Sequence, residues 1–69
     1  MEEFSLESNE YIELKSLLKV AGLRDSGGAA KTVIAEGRVK VDGNAELRKR
    51  RKLRKSQIVE FEGHRIIVK

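Results

Sequence analysis

Apolar residues recur along this chain in two rhythms. Leu14, Leu17, Leu18 and Ala21 fall at the i, i+3, i+4, i+7 spacing of one buried helix face, with Tyr11 at its margin. The spacing predicts a helix over 10–21, capped by Ser8 or Asn9 and with Glu10 favourably placed in its first turn. Gly22 suits the left-handed position just past a helix end, where Leu23 folds back on Leu18. Ala30, Val33, Ile34 and Gly37 repeat the same spacing, predicting a second helix with Ser26 as its N-cap and Gly37 as its stop. Only Arg24 and Asp25 separate Leu23 from Ser26, so the two helices are expected to pack as neighbours.

The second rhythm has period two. Val39 and Val41 alternate with Arg38 and Lys40, and Asp42-Gly43 follows as a type I′ hairpin signal. Residues 58–61 and 64–68 form a second predicted hairpin around Glu62-Gly63, which sets Glu60 opposite Arg65. Residues 4–6 read as a short strand at a sheet edge. The predicted fold is α+β: two packed helices followed by a small, mainly antiparallel sheet, with a short N-terminal strand, all in one domain over residues 1–69. No internal repeat or low-complexity linker interrupts it.

Composition narrows the classes. At 69 residues the core is small, and with no cysteine there are no disulfides and no Cys-based zinc site. No apolar run reaches the length of a membrane span, and the acidic start is unlike a signal peptide, so a cytoplasmic protein without a membrane partner is expected. Charge is segregated. Residues 1–13 carry five glutamates and no base, whereas residues 14–55 carry thirteen of the fifteen lysines and arginines against four acids. Arg48, Lys49, Arg50, Arg51, Lys52, Arg54 and Lys55 form a dense run whose ends Leu47 and Leu53 are expected to pin to the core. Such a run suits a polyanion, most simply a nucleic acid. Arg50 and Arg51, in mid-run, are expected to be dispensable for folding.

A second candidate feature lies on the second helix. Gly27, Gly28, Lys31 and Ala35 share a sector away from the apolar stripe, at a helix N-terminus whose free N–H groups and dipole favour phosphate. Close packing of a neighbour against the glycines explains the same pattern, and the sequence leaves both readings open. Lys15 and Lys19, four apart on the first helix, are neighbours that extend the candidate basic surface. His64 is the only histidine, beside a turn and without a nucleophile or paired carboxylates near it, so no catalytic residue, metal site or cofactor is expected. A DNA-binding helix-turn-helix is the alternative, although the second helix offers few groups for reading base edges. The few aromatic residues, Phe4, Tyr11 and Phe61, argue against a single-strand stacking platform and for recognition of a folded nucleic acid through backbone and shape.

The ordered combination of Leu17, Leu18, Gly22, Leu23, Ser26, Ala30, Lys31, Ile34, Gly37, Val39, Val41, Asp42 and Gly43 resembles the S4-type RNA-binding domain. Residues 58–68 resemble its closing strands. The N-terminal stretch and the basic run are similar to its branch of small stand-alone bacterial proteins of the YbcJ type. The resemblance implies an S4-like fold (the αL motif) and binding of structured RNA, often ribosomal, by the helix pair and following hairpin. Carried over by position, it implies RNA contacts at Arg24, Ser26, Lys31, Arg38 and Lys40. With the basic features above, the candidate site is Lys15, Lys19, Arg24, Ser26, Gly27, Gly28, Lys31, Arg38, Lys40, Arg48, Lys49, Arg50, Arg51, Lys52, Arg54 and Lys55. A non-catalytic, monomeric, ribosome-associated protein is expected. Two departures stand out: Tyr11-Ile12-Glu13 replaces an Arg-Leu-Asp pattern, and Ser56-Gln57 replaces a Gly-Asp turn.

Overall fold

Alternation builds the sheet directly. In the computed structural model, which describes residues 1–23 and 27–69, strand β6 (Ile58–Phe61) pairs antiparallel with both β3 (Val39–Val41) and β7 (His64–Val68). Val39 pairs with Phe61, Val41 with Val59, and Val59 with Ile66, so one face of the sheet is apolar and buried. Lys40, Glu60 and Arg65 point to the other face, with Arg65 Nε 3.9 Å from Glu60. Both hairpin turns take positive φ at their two central residues, 51° and 87° at Asp42-Gly43 and 48° and 82° at Glu62-Gly63, as a type I′ turn requires. β1 (Glu2–Phe4) adds in parallel to β7, and β4 (Asn44–Ala45) closes the far edge, in the order β1-β7-β6-β3-β4.

Helices α1 (Leu14–Val20) and α2 (Gly27–Ala35) contribute to the same core through Leu14, Leu17, Leu18, Ala30, Val33 and Ile34. Each fully buried leucine or isoleucine contributes about 1.5–3 kcal/mol. Both helices end in the predicted glycine motif. Gly22 lies at φ 76°, its N–H donating to the Lys19 carbonyl while the Leu23 N–H reaches that of Leu18. Gly37, at φ 74°, repeats the arrangement, with the Arg38 N–H donating to the Val33 carbonyl. The architecture is therefore α+β, two packed helices followed by a small, mainly antiparallel sheet with a short N-terminal strand.

Four expectations need correction. The first helix begins at Leu14 rather than residue 10, because Ile12 and Glu13 form β2 (Ile12–Glu13), paired antiparallel with β5 (Lys52–Leu53). Neither Ser8 nor Asn9 caps it. Glu13 is the N-cap without a side-chain cap bond, and Asn9 donates from its backbone and Nδ2 to the Leu6 carbonyl. The first strand lies two residues earlier than expected. Leu6 is nonetheless buried, with its N–H donating to the Lys69 carbonyl. Finally, Leu53 is buried but Leu47 is 63% exposed, so only one end of the basic run is pinned by a leucine. Arg24, Asp25 and Ser26, including the expected N-cap, lie outside the described residues.

Candidate nucleic-acid interface

The helix pair leaves a shallow concavity of about 250 Å³ lined by Lys15, Ser16, Lys19, Gly28 and Lys31. Lys15 and Lys19 meet there because four residues make slightly more than one helical turn. Gly28 and Lys31 arrive from α2, both exposed. Thr32 Oγ1 donates to the Gly28 carbonyl at 3.1 Å, one turn back along the helix. Among the described residues no carboxylate lines this concavity, and Gly28 places no side chain over its floor.

The basic run meets α1 through its backbone. The first-turn N–H groups of Leu14 and Lys15, which have no partner inside the helix, donate to the carbonyls of Arg51 and Lys49 at 2.9 and 3.1 Å. The loop's fold depends on Glu46, only 8% exposed. Its carboxylate accepts from the Arg48 N–H, Nε and Nη2 and, at 2.7 Å, from Arg51 Nη1. The Arg48 side-chain bonds lead in holding the Glu46 carboxyl down at about 2, with Arg51 adding to the effect against the opposing cost of burial. The same contact raises the Arg48 guanidinium. The Arg51 N–H donates to the Arg48 carbonyl and closes the turn. Residues 47–52 surround an open concavity of about 680 Å³.

Past this turn, Leu53 enters the core and Lys52 and Arg54 emerge beside Tyr11. The Lys52 ammonium lies 4.9 Å and the Arg54 guanidinium 5.7 Å from the ring centroid, within cation–π range. The Arg54 N–H donates to Gln57 Oε1, and Gln57 Nε2 to Asp42 Oδ2, which ties this end of the run to the first hairpin turn. Lys55 is exposed, followed by Ser56 at φ 77° in the left-handed position that usually selects glycine.

Lys15, Lys19, Gly28 and Lys31 are thus brought together, and Lys49 and Arg51 are joined to them through the α1 backbone. Lys40 is not: it lies on the sheet face turned away from the helices, opposite Glu60. Arg38 is held by Glu62 at 2.8 Å and Glu36 at 3.4 Å, and lies 5.8 Å from the Phe61 ring centroid. Arg38 and Lys40 line a separate concavity of about 280 Å³ with His64 and Arg65. Gly27 opens α2, whereas Arg24 and Ser26 lie outside the described residues. The expected dispensability of Arg51 for folding needs correction, since it bonds the buried carboxylate of Glu46. Sequence reasoning missed Ser16, Tyr11 and Glu46 as parts of this region. The first was legible as a neighbour of Lys15 and Lys19, but the other two act through partners that local spacing does not reveal. His64 Nδ1 lies 2.8 Å from Glu2 Oε2. Among the described residues, no helix is long and apolar enough to cross a membrane.

The sequence profile of the S4 domain matches residues 4–69. YbcJ of Escherichia coli (strain K12) is 50% identical over 68 residues, spanning 99% of this chain and 97% of its own length. YbcJ of Shigella flexneri matches with the same identity and coverage. The solution structure of YbcJ from E. coli, described as revealing an αL motif involved in RNA-binding, superposes with a TM-score of 0.75 over 99% of this chain and 86% of that one. With nearly its whole length matched in profile, sequence and fold, the chain belongs to the S4 domain family.

Proposed function

We propose that this protein is a non-catalytic, monomeric cytoplasmic RNA-binding protein that grips structured, ribosomal or ribosome-associated RNA through one basic face. The face comprises the helix-pair lysines Lys15, Lys19 and Lys31, with Gly28 between them, and the loop cations Lys49, Arg50, Lys52, Arg54 and Lys55. Arg48 and Arg51 contribute while tied to Glu46, Arg38 and Lys40 make outlying contacts, and Arg24, Ser26 and Gly27 are included on the sequence alone. The observation that carries this reading is the bonding of the α1 first turn to the carbonyls of Lys49 and Arg51, which fixes the basic loop against the helix bearing Lys15 and Lys19. The RNA-binding αL motif described for YbcJ supports it. A groove-reading helix-turn-helix is less well supported, because the exposed side of α2 offers Gly28, Lys31, Thr32 and Ala35, a poor set for base edges.

Phosphate contacts make binding depend steeply on salt. With about four to six phosphates neutralised, log K against log salt falls with a slope of roughly −3.5 to −5.5, from about 0.9 per contact. Fluorescence anisotropy with a folded RNA hairpin across a salt series measures it. A slope shallower than about −1 contradicts the electrostatic grip, and equal affinity for duplex DNA at matched salt favours the helix-turn-helix.

A further inference from the structure

The open concavity inside residues 47–52 is larger than a phosphate group requires, and its lining is chemically mixed. Arg48 and Arg51 are committed to Glu46, and Lys52 is drawn over Tyr11. That leaves Lys49 and Arg50 as exposed cations and Leu47 as an exposed apolar surface at the same site. Leu47 does not dangle: its Cδ2 lies over Gly37, 3.7 Å from where a Cβ on that residue would sit. The Lys49 and Arg51 carbonyls are bonded to α1, so the concavity is shaped before any ligand arrives.

A cavity of this size falls within the range of small-molecule sites. A paired A-form stem offers it only a convex ridge of phosphates and sugars, with the bases turned inward. An extruded nucleotide offers a flat apolar base and a phosphate together. The geometry points to a seat for one unpaired nucleotide of the bound RNA, its base against Leu47 and its phosphate on Lys49 and Arg50. This rests on the RNA-binding reading above and narrows the RNA to one with a bulge or looped-out base.

The test uses the full chain and three RNA hairpins with the same stem: fully paired, with a single bulged adenosine, and with an abasic residue at the bulge. The expected result is binding of the adenosine bulge about tenfold more tightly than the other two, close to the lower end of what burying an apolar side chain supplies. Leu47→Ser abolishes that preference and leaves affinity for the paired hairpin unchanged, whereas Leu47→Met keeps it; circular dichroism verifies that both variants fold. Equal binding of adenosine and abasic bulges, or a preference that survives Leu47→Ser, overturns the seat. Equal, steeply salt-dependent binding of all three hairpins removes the seat while leaving the RNA grip standing. Failure of all three to bind removes both.

Discussion

Glu46 is a carboxylate enclosed by the chain's own cations, and it decides which arginines are available to a partner. Its carboxyl is held at about 2 against an ordinary 4.5, chiefly by Arg48 and then by Arg51. A carboxyl depressed by folding stabilises the native state in full above its ordinary value, and that contribution disappears as pH falls through about 2. Urea unfolding at pH 7, 4.5, 3 and 2 therefore shows wild-type stability falling over the acid range. Glu46→Gln starts lower by about 1–2 kcal/mol, a charge-assisted bond discounted for the exposure of Arg48, and loses less over the same interval. The two mid-run arginines then separate. Arg50→Ala is expected to weaken RNA binding several-fold at unchanged melting temperature, whereas Arg51→Ala lowers the melting temperature because it leaves a buried oxygen of Glu46 short of a donor. Melting curves and anisotropy on the same two variants decide this.

At the scale of elements, what was legible is what is local. The strand at Val39–Val41, both type I′ turns and both glycine helix ends lie within windows of a few residues whose periodicity and turn chemistry agree. The β2–β5 pair does not. Each strand has two residues, and the partners stand far apart in the sequence, with both helices between them, so their pairing leaves no local signal. The same distance hid Tyr11, which was expected at a helix margin and instead meets Lys52 and Arg54. For the candidate site, the Lys15/Lys19 pairing was readable from helical spacing. The burial of Glu46 inside a polar, basic stretch was not. On α2, the exposure of Gly28 favours the open-floor reading over close packing. Gly28→Gln replaces a poor helix residue by a good one, a gain of about 0.5–0.8 kcal/mol. We expect its melting temperature to hold or rise while affinity for an RNA hairpin falls several-fold. A large drop in melting temperature would return the glycine to a packing role.

For the whole molecule, one apolar cluster joins both helices to the five-stranded sheet, while Leu53 brings the basic loop into the same cluster. Small domains have little stability to spare. Leu17→Ala, which empties a fully buried site, is expected to cost about 2–5 kcal/mol. Helix circular dichroism and the fluorescence of Tyr11, the single tyrosine, should lose their signals together in urea; separate transitions would mean that the β2–β5 end unfolds independently. Glu2 and Glu3 at the β1 edge sit beside His64 and Lys69, and none of the five N-terminal glutamates lines either the helix-pair concavity or the one inside the loop.

The helix start fastened to carbonyls of the basic loop has a consequence for which changes the chain tolerates. Those bonds use backbone, so they are indifferent to whether residues 49 and 51 are lysine, arginine or serine. They are sensitive to spacing, because removing a single residue between them shifts one carbonyl out of register with its N–H. Cations at residues 49, 50 and 52 can therefore be exchanged without loosening this fastening, whereas Arg48 and Arg51 stay tied to Glu46 and the loop must keep its length.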